Sequence, residues 1–250
     1  MKYDTPKTEH LYKKSDPIDQ LNIEDGITLM IKEQKKAALE VKKSTNSINC
    51  AVRKICKHLL LNKKGRLIYV GAGTSGRIGM QDGVELFPTF NWPMNRLDFV
   101  IAGGYDAIFK AIENAEDSIT DAEKIVKKKI IGPQDVVIGL AASGNTPFTC
   151  KVMEEAYNLN SLTIAISNNP VGKILKYGKV QIVLDTKEEI IAGSTRLKAG
   201  TAQKICLNTI SSLVMTRLGR VKNGYMNNMV ATNNKLRKRS ISIKNKLKKD

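Results

Sequence analysis

The chain has 250 residues, 42% of them hydrophobic and 26% charged, which suits one large domain or two small ones and excludes wholesale disorder. Its formal charge of +17 invites a nucleic-acid reading, yet the excess sits in the flanks: residues 231–250 carry eight basic side chains against one acidic, and residues 1–66 fifteen against eight. Aromatics are scarce at 5%, and no apolar run nears the roughly 20 residues of a membrane helix, so neither nucleic acid nor a membrane is expected as a partner.

In chain order, MKYDTPKTEHLYKK opens with no apolar segment behind its charges, which predicts a cytoplasmic protein. Residues 1–56 read as a charged helical segment, with helices expected over Ile27–Leu39 and Ser47–Leu61. From 57 to 220, short runs rich in Val, Ile and Leu alternate with amphipathic stretches. Strands are expected at Leu67–Val70, Asp98–Ala102, Val136–Ala141, Leu162–Ser167 and Val180–Leu184. Helices are expected at Tyr105–Ala115, Thr146–Leu159 and Thr195–Leu218. This alternation predicts an α/β domain, a doubly wound five-stranded parallel sheet with ligands at the carboxyl ends of its strands. Thr195–Leu218 is apolar over much of its circumference; it asks for a partner surface and points to a homodimer. The basic tail, 221–250, is expected to be a frayed helix or disordered after Asn234.

Cys50, Cys56, Cys150 and Cys206 form no CxxC pair and read as free thiols in a reducing compartment. His10 and His58 lack a ligand cluster, so no metal is expected.

Two loops concentrate the chemistry. After the first strand comes Gly71-Ala72-Gly73-Thr74-Ser75-Gly76-Arg77. It satisfies GxGxxG, but the second strand runs into Gly103-Gly104 where a dinucleotide fold needs an acidic residue. Thr74 and Ser75 instead offer hydroxyls and N–H groups at a helix N-terminus, where a phosphate is stabilised. After the third strand, Ala142-Ser143-Gly144-Asn145-Thr146-Pro147 repeats the arrangement, with Pro147 suited to a first helical turn. Each alone could be an ordinary N-cap. Two at equivalent strand ends suit an anionic, hydroxyl-rich ligand.

These motifs resemble the SIS (sugar isomerase) domain family. GAGTSGRIG, AASGNTP, GSTRLKAGTAQK (193–204) and MVATNNKL (229–236) resemble more closely its N-acetylmuramic acid 6-phosphate etherase branch, over roughly residues 5–240. The motifs also resemble those of glucokinase regulatory protein, a relative of another kind that binds sugar phosphates as a regulator. The resemblance implies cleavage of the lactyl ether of the sugar phosphate, giving N-acetylglucosamine 6-phosphate and D-lactate, with one base, one acid and no cofactor. It places those roles on Glu116 and Glu85: Glu116 to take the C2 proton, Glu85 to protonate the departing lactate and then activate water. The acid would need burial to lift its carboxyl from about 4.3 towards neutrality. The loop residues Gly73, Thr74, Ser75, Gly76, Ser143, Gly144, Asn145 and Thr146 are the expected sugar-phosphate ligands. Glu189, Ser194 and Lys198 join them, with Lys198 and Arg196 as grips for phosphate or carboxylate, or else as ion pairs with Asp185 or Glu189.

If residues 75–85 form one straight helix, Glu85 lies about 15 Å from the Ser75 loop. Either Gly83 turns the chain back, or Glu85 serves a neighbouring subunit. Asn145 and Phe148 stand where the branch carries Arg and Tyr, Gly83-Val84-Glu85-Leu86-Phe87 where it carries Ala-Ser-Glu-Cys-Pro, and Ala192 where it carries Thr. The helical segment that follows ATNNKL in the branch is missing, and SISIKNKLKKD stands there; if that segment stabilises the dimer or covers the site, activity is weakened or lost. Two other readings use the same loops: a non-catalytic sugar-phosphate-binding regulator, and an aldose–ketose isomerase that keeps the proton abstraction without losing lactate.

Overall fold

The computed structural model describes residues 5–231 and 234–247; Thr232 and Asn233 of the MVATNNKL motif and the last three residues of the basic tail lie outside them. In chain order the elements are α1 (Ile23–Lys43), α2 (Thr45–Leu61), β1 (Leu67–Gly71), α3 (Gly73–Val84), α4 (Leu86–Phe90), β2 (Leu97–Ile101), α5 (Ile119–Lys128), β3 (Val136–Ala141), α6 (Pro147–Asn158), β4 (Leu162–Ser167), β5 (Val180–Val183), α7 (Lys198–Arg217) and α8 (Asn234–Leu247). The five strands form one all-parallel sheet in the order β2-β1-β3-β4-β5.

β1, β3 and β4 are buried at every residue, which is why they read as largely apolar runs, β4 carrying Thr163 and Ser167 among its apolar residues. Successive side chains of a strand point to opposite faces, and the core divides accordingly. Leu67, Tyr69, Ile138, Leu140, Ile164 and Ile166 face α2 and α7, which contribute Ile55, Leu59, Leu207, Ile210 and Val214. Ile68, Val70, Val137 and Ala165 face α5 and α6, which bring Ala122, Val126, Val152 and Met153.

Several expectations change. α1 is longer than its periodicity suggested, because Asn22 caps it by accepting a hydrogen bond from the Asp25 N–H at 2.9 Å. Tyr105–Ala115 is not a helix: only Tyr105–Ile108 makes a 3-10 turn. Gly103 and Gly104 precede it at φ +82° and +70°, and Asn114 follows at +56°. The Arg77 guanidinium donates to the carbonyls of Ala107, Ile108 and Lys110, satisfying groups that a helix would have bonded internally. The helix of this region is α5, capped by Ser118. Residues 234–247 of the tail form the helix α8. α7 finds a partner surface within the chain, packed on α1, α2 and α3. The burial of that face therefore calls for no second subunit.

Candidate active site

The strand order reverses between β1 and β3, since β1 is followed by β2 on one side and β3 lies on the other. The crevice at such a switch point lies beyond the carboxyl ends of the two strands. The two serine loops leave the sheet at this place. In the first, Gly73 opens α3 at φ +50°, with Ser75 and Gly76 buried and Thr74 half-buried. In the second, Gly144 has φ +74°, and a Cβ there would stand 2.5 Å from Cα of Gly172. The loop after β4 braces it: Asn169 Nδ2 donates to the Ser143 carbonyl at 3.1 Å, and Lys173 N–H donates to Asn145 Oδ1 at 3.0 Å. Ser143 and Thr146 stay half-buried, and Thr146 makes no side-chain cap bond to α6. Phe148 is in the core, where a tyrosine hydroxyl would need a buried partner.

Glu116 sits on a single 3-10 turn, Ala115–Asp117. Its carboxylate reaches the first loop: Oε1 lies 2.8 Å from the point a Cβ on Gly73 would occupy. A carboxylate at the N-terminus of α3 meets the positive end of the helix dipole. Glu85 is elsewhere. Gly83 does not end α3, which runs on to Val84, so Glu85 lies at the opposite end of a twelve-residue helix, exposed to solvent. At 1.5 Å per residue that end is roughly 17 Å from Gly73. Within one chain the two glutamates are not brought together.

The third motif is arranged unlike the expectation. Glu189, 1% exposed, caps α7 by accepting hydrogen bonds from Ala199 N–H (2.7 Å) and Lys198 N–H (3.1 Å). Burial pushes its carboxyl up from its ordinary value, against the pull of those two N–H groups. Lys198 does not point its ammonium into the crevice. It is 3% exposed and donates to Glu33 at 3.0 Å and to the Glu188 carbonyl at 2.8 Å. The ion-pair partner of the ammonium is thus Glu33, neither Asp185 nor Glu189. Ser194 is half-buried and Arg196 exposed.

Two groups escaped the sequence reading. Asp82, 6% exposed, accepts from Tyr69 (2.9 Å), Asn208 (2.6 Å) and Ser211 (3.0 Å), tying β1, α3 and α7 together behind the first loop. Glu33, 2% exposed, accepts from Lys198, from Tyr12 at 2.8 Å and from Lys36. Its signal was present: an acid four and eight residues before Ala37 and Val41, on the buried face of α1. Burial raises the Glu33 carboxyl, but hydrogen bonds from Lys36, Lys198 and Tyr12 outweigh it and hold the group at about 2. With an ordinary value of 4.5, its contribution to stability is complete above that pH and drains away as pH falls towards 2. The melting temperature should therefore drop steeply over that window, by the equivalent of roughly 3 kcal/mol. A flat acid limb in thermal scans would contradict this pairing.

Among known proteins, residues 48–157 match the family described as glucokinase regulatory protein N-terminal SIS domain. The chain is 42% identical over 237 residues to an N-acetylmuramic acid 6-phosphate etherase from Deinococcus radiodurans, covering 95% of this chain and 77% of that protein. The same identity holds over 236 residues with the etherase of Symbiobacterium thermophilum, covering 94% and 78%. A solved phosphoheptose isomerase from Francisella tularensis is 19% identical with a TM-score of 0.58, over 78% of this chain and 100% of that one. At such identity the likeness speaks for the fold alone.

Proposed function

The chain belongs to the N-acetylmuramic acid 6-phosphate etherases, carbon–oxygen lyases of amino-sugar recycling, and we propose how its residues divide the reaction. The sugar phosphate lies across the switch-point crevice, its anionic and hydroxyl groups against Thr74, Ser75, Ser143 and Thr146. Gly73, Gly76 and Gly144 let the backbone come close there, and Asn145 holds the second loop to its neighbour. In the ring-opened sugar the C2 proton is α to the C1 aldehyde. Glu116 takes that proton, electrons move towards C1, and the C3–oxygen bond breaks as an acid protonates the ether oxygen. D-lactate leaves, water adds across the C2–C3 double bond, and N-acetylglucosamine 6-phosphate results. The reaction needs one base and one acid, and the sequence of proton transfers balances without an oxidant.

The acid is Glu85, and it comes from a second copy. The observation behind this is the straight α3, which holds Glu85 at the far end from Glu116. A homodimer in which α3 of one subunit reaches the crevice of the other would supply both the missing carboxyl and the burial it needs to retain a proton. Free thiols and the lack, among the described residues, of any helix able to cross a membrane agree with a cytoplasmic enzyme. Lys198 and Glu189 serve the site from beneath, holding the segment that carries Ser194 and Arg196.

What carries the reading is the Glu116 carboxylate lying against Gly73, beside the crevice between the two loops. It is tested by D-lactate release from N-acetylmuramic acid 6-phosphate by the purified protein. Sugar-phosphate binding without release would favour the regulator, and ketose formation without release the isomerase. A second test uses Gly73. At φ +50° a side chain costs roughly 1–2 kcal/mol, and the new methyl would displace the Glu116 carboxylate. Gly73→Ala should remain folded with a melting temperature a few degrees lower, while lactate release falls about a hundredfold. An unimpaired Gly73→Ala enzyme would separate Glu116 from the chemistry.

A further inference from the structure

Glu33 stands where an amphipathic helix would carry a leucine, yet its carboxylate, directly or through the Lys198 ammonium, joins three pieces of chain. The first is the N-terminal strap: Tyr12 bonds Glu33, Lys14 pairs with Glu188, Lys7 pairs with Asp185 at 3.3 Å, and the Thr8 carbonyl accepts from Gly193 N–H at 2.9 Å. The second is α7, through Lys198. The third is the segment between β5 and α7, whose Glu188 carbonyl takes the other bond from the same ammonium.

Stability alone does not account for such a hub. A buried ion pair is often no better than apolar residues of similar volume, and the cost becomes large only when one partner is removed. A charged hub fixes direction, which leucines in its place would not. The Lys198 ammonium must face both Glu33 and the Glu188 carbonyl, and this sets the path of residues 184–197. That stretch has no regular secondary structure and turns through Gly193 at φ +76°. Ser194 and Arg196 ride on it.

We propose that Glu33 is a positioning residue for substrate binding: through Lys198 it holds residues 184–197 so that Ser194 and Arg196 meet the polar and anionic groups of the sugar phosphate. The proposal rests on the etherase site described above. It assigns a function in the site to a residue of α1, which lies outside both serine loops and outside the segment matched by the SIS domain family.

The test measures the dissociation constant for N-acetylglucosamine 6-phosphate by calorimetry, and KM and kcat for lactate release, in wild type, Glu33→Gln and Tyr12→Phe. Glu33→Gln keeps the shape and removes the charge. It should weaken product binding and raise KM about tenfold, with kcat within about threefold, because a binding segment acts equally on ground and transition states. Tyr12→Phe removes one hydrogen bond at a half-buried position; it should lower the melting temperature by no more than a few degrees and move the same constants two- to threefold. Amide exchange over residues 186–196 should accelerate in the same order. Wild-type dissociation constants in both variants, or a loss confined to kcat, would overturn the proposal. Should Glu33→Gln fail to fold, Tyr12→Phe decides it. A wild type that binds product but releases no lactate removes the lyase reading, and the dissociation constants still decide the role of Glu33. A wild type that binds no sugar phosphate overturns both.

Discussion

Glu116→Gln is expected to lower D-lactate release by roughly a thousandfold, within the range that a positioned base contributes, and to leave the melting curve unchanged. The second half of that expectation follows from where Glu116 sits. It is an exposed residue on a single 3-10 turn, outside both core clusters. Its carboxylate approaches Gly73, a position that needs no partner for folding. The amide occupies the same space but cannot accept a proton from C2. Wild-type enzyme should also carry solvent deuterium into C2 of its product, and the variant should not. A variant within tenfold of the wild-type rate, or one that still exchanges C2, would remove Glu116 as the base.

Mixing Glu85→Gln with Glu116→Gln protein, each inactive alone, should restore about a quarter of wild-type activity once subunits have exchanged. The arithmetic is that of a two-fold symmetric dimer with shared sites. Half the dimers in an equal mixture are hybrids, and each hybrid has one site with both glutamates intact and one with neither. If Glu85 worked in its own subunit's crevice, every site in the mixture would lack one glutamate and nothing would return. The geometry behind the expectation is plain: a twelve-residue helix separates Glu85 from Gly73, and Gly83 does not bend it, being packed on Phe99 and Tyr69. No recovery after verified subunit exchange would end the shared-site arrangement.

Much of the fold was legible because it depends on burial pattern. Val136–Ala141 and Leu162–Ser167 are buried on both faces and so appear as short, largely apolar runs without polar alternation, and their bounds were read correctly from that signal. The two serine loops were legible for a related reason, since glycine at Gly73 and Gly144 answers to backbone conformations other residues resist. Tyr105–Ala115 misled because its carbonyls are satisfied by Arg77, thirty residues and more away, and local pattern carries no trace of that bond. α7 misled in a different way. Apolarity on a helix shows that it is covered, not by which chain, and here α1, α2 and α3 cover its buried face. Lys198 was noticed and its direction missed, because Glu33 lies 165 residues earlier. A lysine beside a candidate site reads as an anion grip until its buried partner is seen.

The bond between Glu33 and Lys198 also sets a schedule. A ribosome adding about 5 to 20 residues per second needs roughly 8 to 33 seconds to travel from the first of these residues to the second. Through that interval the inward-facing acid of α1 has only Lys36 and Tyr12 to meet it, so docking α1 early would bury a carboxylate that lacks its buried partner ammonium. The sheet can assemble from β1 to β5 meanwhile, since every strand precedes Lys198. α1 and the strap therefore close after the sheet, once the start of α7 has been made.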